Sequence, residues 1–378
     1  MFGRILRMRG IIPVILILAA VAYWWLHPHP PVVLGIGYAA DREVPLWNTI
    51  AEVRQRVGDL HYGERVEIVR QEGTSAQVRT PSGALGWLLD SHELMDEALW
   101  EQSASLLSRA RTMTVQARGK TKTVSNVHIQ PGREGKRIFQ FVRGTEVVVL
   151  DRTIADAQPS NEENPTGQKS SGTEEQKPKQ EDWFFVLRDA ALAPSSGAPT
   201  PDASSTPAGS RASAGPVSGG PGAAQSDSPG AGSPTMPVAG WVLARFIEPE
   251  LPGPVRDYAS SADLHAIAWF ELNQVPDGSG GQAAQYLVAG SRGGEGQVCD
   301  FTMLRVYTWS TARKRYETAY IESDLCGHLP VRVSSSAAGP EFRFTAAGEN
   351  PGDRVYVMRQ TIVRRLRDKS PGPSPGRR

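Results

Sequence analysis

The residues able to do chemistry in this 378-residue chain are few and scattered. There are two cysteines, Cys299 and Cys326, both in the last third, and seven histidines that never cluster. A catalytic thiol needs a helix N-terminus or a neighbouring cation to hold it as thiolate. Cys299 is followed by Asp300 and Phe301 in a run that reads as strand, so no helix dipole serves it. His27 and His29 alternate with prolines and have no third ligand nearby, which argues against a metal site. Asp277-Gly278-Ser279-Gly280-Gly281 matches half of a calcium loop but lacks the spaced acids and the closing glutamate. Glu322 and Asp324 read as a solvated turn, not as an acid/base pair. No Gly-x-Ser-x-Gly elbow, phosphate loop, dinucleotide fingerprint or His-Glu-x-x-His helix occurs, so no catalytic residue, cofactor or metal is expected.

The elements that would carry these residues lie in an exported chain. Arg4, Arg7 and Arg9 precede a charge-free run from Ile11 to Leu26. That run is shorter than the roughly 20 residues of a bilayer span, and Trp24 and Trp25 suit the headgroup boundary that would complete it. An uncleaved anchor over 1–26 is the first reading. A signal peptide removed after Ala20-Val21-Ala22 is the second, with bulky tryptophans awkwardly placed for cleavage. Both place the remainder outside the cytoplasm, single-pass or secreted. No cysteine near the junction allows a lipid-modified terminus. In that compartment Cys299 and Cys326 are most simply a disulfide, with free thiols the alternative. Lysine plus arginine (41) balance aspartate plus glutamate (40) without a basic stripe, which argues against a nucleic-acid partner.

The chain reads as mainly β. A Pro-rich spacer at 27–37 leads to short strands over 38–95, and Pro81-Ser82-Gly83 marks a turn among them. Asp90-Ser91-His92-Glu93 has capping-box spacing, and Leu94, Ala98, Leu99, Leu106 and Leu107 recur at helical intervals, predicting a connecting helix over 91–111. A second β-module over 113–248 is interrupted by polar or low-complexity tracts at about 156–182 and 193–237, too poor in apolar residues to order themselves. Longer strands over 255–367 predict an antiparallel β-domain, with Arg354 to Arg365 read as one strand. Residues 368–378 form a basic tail expected to fray.

The two modules resemble each other and the bacterial SH3-like domain. Asn126-Val127-His128-Ile129-Gln130-Pro131-Gly132 resembles the family's opening motif, with His128 where arginine is usual. Gly144-Thr145-Glu146-Val147-Val148-Val149, Trp183-Phe184-Phe185-Val186 and Gly240-Trp241-Val242 resemble its later strands. In the first module Gly63-Glu64-Arg65-Val66-Glu67-Ile68 and Gly86-Trp87-Leu88 fit, while Ala76 stands for the central tryptophan. Gly86, Trp87, Trp183, Gly240 and Trp241 are read as core signature residues, each glycine letting a neighbour approach a buried aromatic. The 255–367 domain resembles no family.

The resemblance implies two small barrels and a non-catalytic role at the cell envelope, binding cell-wall peptide or a protein partner. A structural scaffold or spacer is the alternative. Relatives often accompany cell-wall cysteine peptidases, so Cys299 with His328 is a further, disfavoured reading as nucleophile and base.

Overall fold

The computed structural model describes residues 32–157, 180–189, 236–261, 264–348 and 351–366. The expected anchor and most of both insertions, with the basic tail, lie outside them. No helix among the described residues is long and apolar enough to cross a membrane. The protein is mainly β, built from antiparallel sheets, and divides into two units, Met1–Glu97 and Ala98–Arg378.

The first unit holds β1 (Gly35–Ala39), β2 (Glu43–Trp47), β3 (Arg56–His61), β4 (Arg65–Glu72), β5 (Ser75–Arg79), β6 (Leu85–Leu88) and β7 (Leu94–Met95). They hydrogen-bond in the order β3-β2-β6-β5-β4-β1-β7. Leu60 of one edge strand and Leu94 of the other share a cluster with Leu46, Val66, Val78 and Leu88. A flat sheet would set those edges about 29 Å apart, so this one curls on itself. The strand Gly35–Ala39 uses residues expected in the spacer.

The expected helix over 91–111 starts late. Ser91–Glu93 is a single 3-10 turn in which Asp90 accepts from His92 N at 2.9 Å. Leu94–Met95 is then drawn into pairing with Tyr38 and Ala39, which ends the turn. Helix α1 occupies Glu97–Ala110.

The second unit repeats the plan with β8 (Ala117–Thr121), β9 (Ser125–His128), β10 (Arg137–Phe141), β11 (Glu146–Asp156), β12 (Gln180–Arg188), β13 (Val238–Leu243) and β14 (Ile247–Pro249), ordered β10-β9-β13-β12-β11-β8-β14. The repeat extends to register. Val78 faces Gly86 as Val186 faces Gly240, and the bulge between Ile68 and Arg70 recurs between Val149 and Asp151. The Gly63 N–H donates to Ala39 O as Gly144 N–H does to Thr121 O, and both glycines have φ near +80°, which suits glycine. A 3-10 turn, Ala244–Phe246, again precedes the last strand. The hairpin β11–β12 is longer than its counterpart, so Gln180, Glu181 and Asp182, expected in the first insertion, are strand residues. They are held because arginines reach the carboxylates of Glu181 and Asp182, as described below.

Register corrects one equivalence. With Val186 matched to Val78, Trp183 corresponds to Ser75, and Ala76 corresponds to Phe184. The signature glycines also work differently from the expectation. A Cβ at Gly86 would meet Leu46 Cβ at 2.8 Å, and one at Gly240 would meet Val127 Cγ1 at 2.5 Å. The glycines therefore admit the β2 or β9 side chain.

Beyond α2 (Gly253–Ser261), a helix at the start of the expected β-domain, come two four-stranded meanders. The first comprises β15 (His265–Pro276), β16 (Gln282–Ser291), β17 (Met303–Ser310) and β18 (Arg315–Glu322). The second comprises β19 (Gly327–Ser336), β20 (Gly339–Ala346), β21 (Gly352–Arg359) and β22 (Ile362–Leu366). Leu287, Leu304, Phe342, Phe344 and Tyr356 join them in one core. The expected single strand 354–365 is a hairpin, turned at Gln360 with φ +55°.

Candidate functional site

Strand alternation gives each module a second face, and there the two differ. In the second module Val148, Trp183, Phe185, Leu187, Ala239 and Trp241 form an apolar layer with Ala110, and Leu106 and Leu107 of α1 pack against it. Phe185 and Trp241 lie 5.1 Å apart, and the Arg109 guanidinium stacks 5.6 Å from the Phe185 ring. Register places Glu67, Ser75, Gln77, Arg79, Leu85 and Trp87 at the corresponding positions of the first module. Arg79 pairs with Glu67 at 3.1 Å, Arg70 lies over Trp87 at 5.9 Å, and Leu85 is 49% exposed. The signature pair Trp87 and Trp241 thus lies on these outer faces, opposite the side on which the glycines admit their neighbours.

Helix α1 leaves one end of the second module's apolar layer open. A groove of about 450 Å³ there is lined by Val124, Asn126, His128, Arg133, Gln140, Trp183, Leu243, Arg245 and Phe246. Its floor is Trp183, 1% exposed, whose indole N–H has no partner among the described residues. His128 meets Trp183 edge-on at 5.1 Å and makes a 2.6 Å hydrogen bond from Nδ1 to the Gly135 carbonyl. A carbonyl only accepts, so Nδ1 carries the proton and Nε2 is left as an acceptor. Burial, reinforced by Arg137, holds the imidazole below its ordinary pKa against the opposing pull of the Gly135 bond. On one wall Gln140 donates to Asn126 Oδ1 at 2.9 Å.

The other wall is ionic. Glu181, with 3% of its side chain exposed, accepts from Arg133 Nε at 2.9 Å and from the second arginine, Arg245, at 2.8 Å. The arginines, Arg133 first, hold its carboxyl down at about 2. Both arginine side chains remain partly exposed, at 48% and 34%, and Arg245 also reaches Glu295 at 3.3 Å. The groove thus combines an apolar floor with a buried, unpartnered indole N–H, an imidazole acceptor and a rim of two arginines paired with Glu181 and Glu295.

Arg245 also lines a cleft of about 300 Å³ between the second module and the meanders. Beside it Arg152, with 3% of its side chain exposed, bonds Asp182 at 2.7 Å and Asp300 at 2.9 Å, and also the carbonyls of Gln297 and Cys299. Gln116 completes the joint. Its amide donates to Val331 O at 3.3 Å and accepts from Val331 N at 2.8 Å. Cys299 and Cys326 are joined as a disulfide, so neither thiol is free. His328 lies nearest Cys326, 3.9 Å from its sulfur. That arrangement differs from the Cys299–His328 pair considered from sequence. Among the described residues no group of His, Cys, Asp and Glu could hold a metal ion.

Of the residues singled out from sequence, Trp183 and Trp241 meet in one layer, Gly240 faces the other way, and Gly86 and Trp87 belong to the first unit. Arg133, Glu181, Arg245 and Arg152 carried no local signal, because each finds its partners across long stretches of chain.

No family model matches this chain, and no curated protein matches it. Among solved structures, NlpC2 from Trichomonas vaginalis is similar over 89% of this chain and 93% of that one, at 10% identity and a TM-score of 0.16. A score that low carries no argument about fold or function.

Proposed function

We propose that this protein is a non-catalytic envelope protein, anchored by residues 1–26 or secreted, whose two SH3-like modules present the second module's groove to an extended, carboxylate-bearing peptide of the cell wall. The observation that carries this reading is the unpartnered Trp183 N–H in a buried floor beneath two partly exposed arginines. A buried donor without an acceptor is costly, and a ligand carbonyl would satisfy it once the side chains covering the indole edge move aside. The repeated register and the glycine-tryptophan pairs support the SH3-like assignment. The arginine-rich N-terminus and apolar run support the location.

The test is cosedimentation of the chain from residue 32 onward with purified wall sacculi. Wild-type protein should pellet, and Trp183→Ala with Arg245→Ala should stay in solution. Retention of the variant in the pellet would remove the groove from the account. A scaffold role is the second reading, favoured by the Arg152 joint that fixes the second module to the meanders. Under that reading, deleting 193–235 should abolish function in the cell while leaving cosedimentation unchanged.

A further inference from the structure

Cys326 immediately precedes β19, whose second residue is His328. The Cys326 sulfur lies 3.9 Å from His328 Nε2. The other ring nitrogen, Nδ1, lies 3.5 Å from Asp300 Oδ2, an oxygen that also accepts from Leu329 N at 2.9 Å. Asp300 is fixed in turn by Arg152 at 2.9 Å and by its own N–H donating to Gly327 O at 3.0 Å. Sulfur, imidazole and carboxylate therefore stand in line on a rigid frame. The His328 side chain is 34% exposed, and Cys299 lines the open cleft on the other side of the bond.

We propose that Cys299–Cys326 is a redox-active disulfide that accepts electrons from a substrate dithiol, with Cys299 the sulfur attacked and Cys326 the leaving thiolate beside His328. A substrate thiolate enters the cleft and attacks Cys299 Sγ. The protein S–S bond breaks and a mixed disulfide forms at Cys299. Cys326 leaves as thiolate beside the His328 ring, which Asp300 orients, because the better-stabilised sulfur leaves faster. The substrate's second thiol, deprotonated, then attacks its own mixed sulfur and releases Cys299. Two electrons and two protons pass from the dithiol to the protein, and the substrate leaves as disulfide.

The frame supports reversibility. Phe301 and Gly327 exchange backbone bonds at 2.9 and 3.2 Å, so the two cysteines stay adjacent in the dithiol state. Charged groups facing the sulfur are His328 and Asp300, with Arg152 and Asp182 behind them. Asp324 precedes it, and Asp353 bonds Thr345, the β20 partner of His328. An imidazole that takes up a thiol's proton favours the thiolate, the form that reacts.

The test uses the full-length chain without denaturant. Acid-quenched reaction with a monothiol should leave the adduct on Cys299. After reduction with dithiothreitol, iodoacetamide should label Cys326 before Cys299, with half-maximal rate below about pH 8.5. His328→Gln should slow labelling of Cys326 at pH 7 by about tenfold, equivalent to about one unit, and leave the rate at high pH unchanged. The wild-type comparison of the two cysteines stands even if that variant fails to fold. A bond resistant to dithiothreitol until the protein unfolds, an adduct on Cys326, or equal labelling of both cysteines would each overturn the proposal.

Discussion

The two modules share a backbone and differ in what they present. Strand order, bulges, turn glycines and the Gly86/Gly240 approach recur position for position, yet side chains on the outer faces diverge. Gln77 stands where Phe185 stands and Ser75 where Trp183 stands; on the opposite face, beside Phe184, Arg152 takes the place of Gln71. The bed for α1 is therefore written on the side opposite the interior valines. The interior keeps Val66 and Val147, Val78 and Val186, whereas the outer face is free to become a polar surface or a bed for α1.

Importing first-module residues into the second module breaks this comparison most sharply. Arg152→Gln should cost about 3–5 kcal/mol, because Asp182 and Asp300 would be left buried without their cation. Urea unfolding of the variant measures it, and a loss under 1 kcal/mol would mean that the joint is not held there. Phe185→Gln should cost about 3 kcal/mol by emptying the layer under α1. The reverse change, Gln77→Phe, should shift stability by less than about 0.5 kcal/mol. Gly240→Ala should destabilise by about 2–3 kcal/mol, since its Cβ would also lie 2.9 Å from the His128 carbonyl. Gly86→Ala should also destabilise, because its Cβ meets Leu46 Cβ at 2.8 Å, an atom that no change of rotamer moves.

Acid provides a subtler contrast. Glu181 titrates at about 2 when folded, against about 4.3 in an unfolded chain. A depressed carboxylate stabilises the fold fully above the unfolded value and loses that contribution as pH falls from about 4.3 towards 2. The stability gap between wild type and Glu181→Gln should therefore close across that window. The smallest effect belongs to deletion of 193–235. Loop closure changes by only about 0.6 kcal/mol per doubling of length, so the melting temperature should move by a few degrees at most.

Much of the β-architecture was legible because its signals are local. Gly-Trp pairs, glycine before a valine run, and Pro81-Ser82-Gly83 as a turn all sit within a few residues. Where the reading slipped, distant partners decided the outcome. The capping pattern at Asp90 was real but served a 3-10 turn, because Tyr38 and Ala39 claim the next two residues. Ala76 looked like the tryptophan's replacement until pairing with β6 set the register. Glu181 and Asp182 read as part of a polar tract, since Arg133, Arg245 and Arg152 lie far away in sequence. The groove was the least legible feature, being assembled from strands, loops and a 3-10 turn.

The most direct test of the peptide-binding groove is the indole N–H resonance of Trp183, assigned by its disappearance in Trp183→Phe, as soluble wall stem peptides are titrated into protein labelled with ¹⁵N at tryptophan. Binding in the groove predicts that this signal moves downfield and saturates, while the indole of Trp87 in the first module stays in place. A Trp183 signal that remains fixed while the protein is shown by sedimentation to hold the wall would contradict the account.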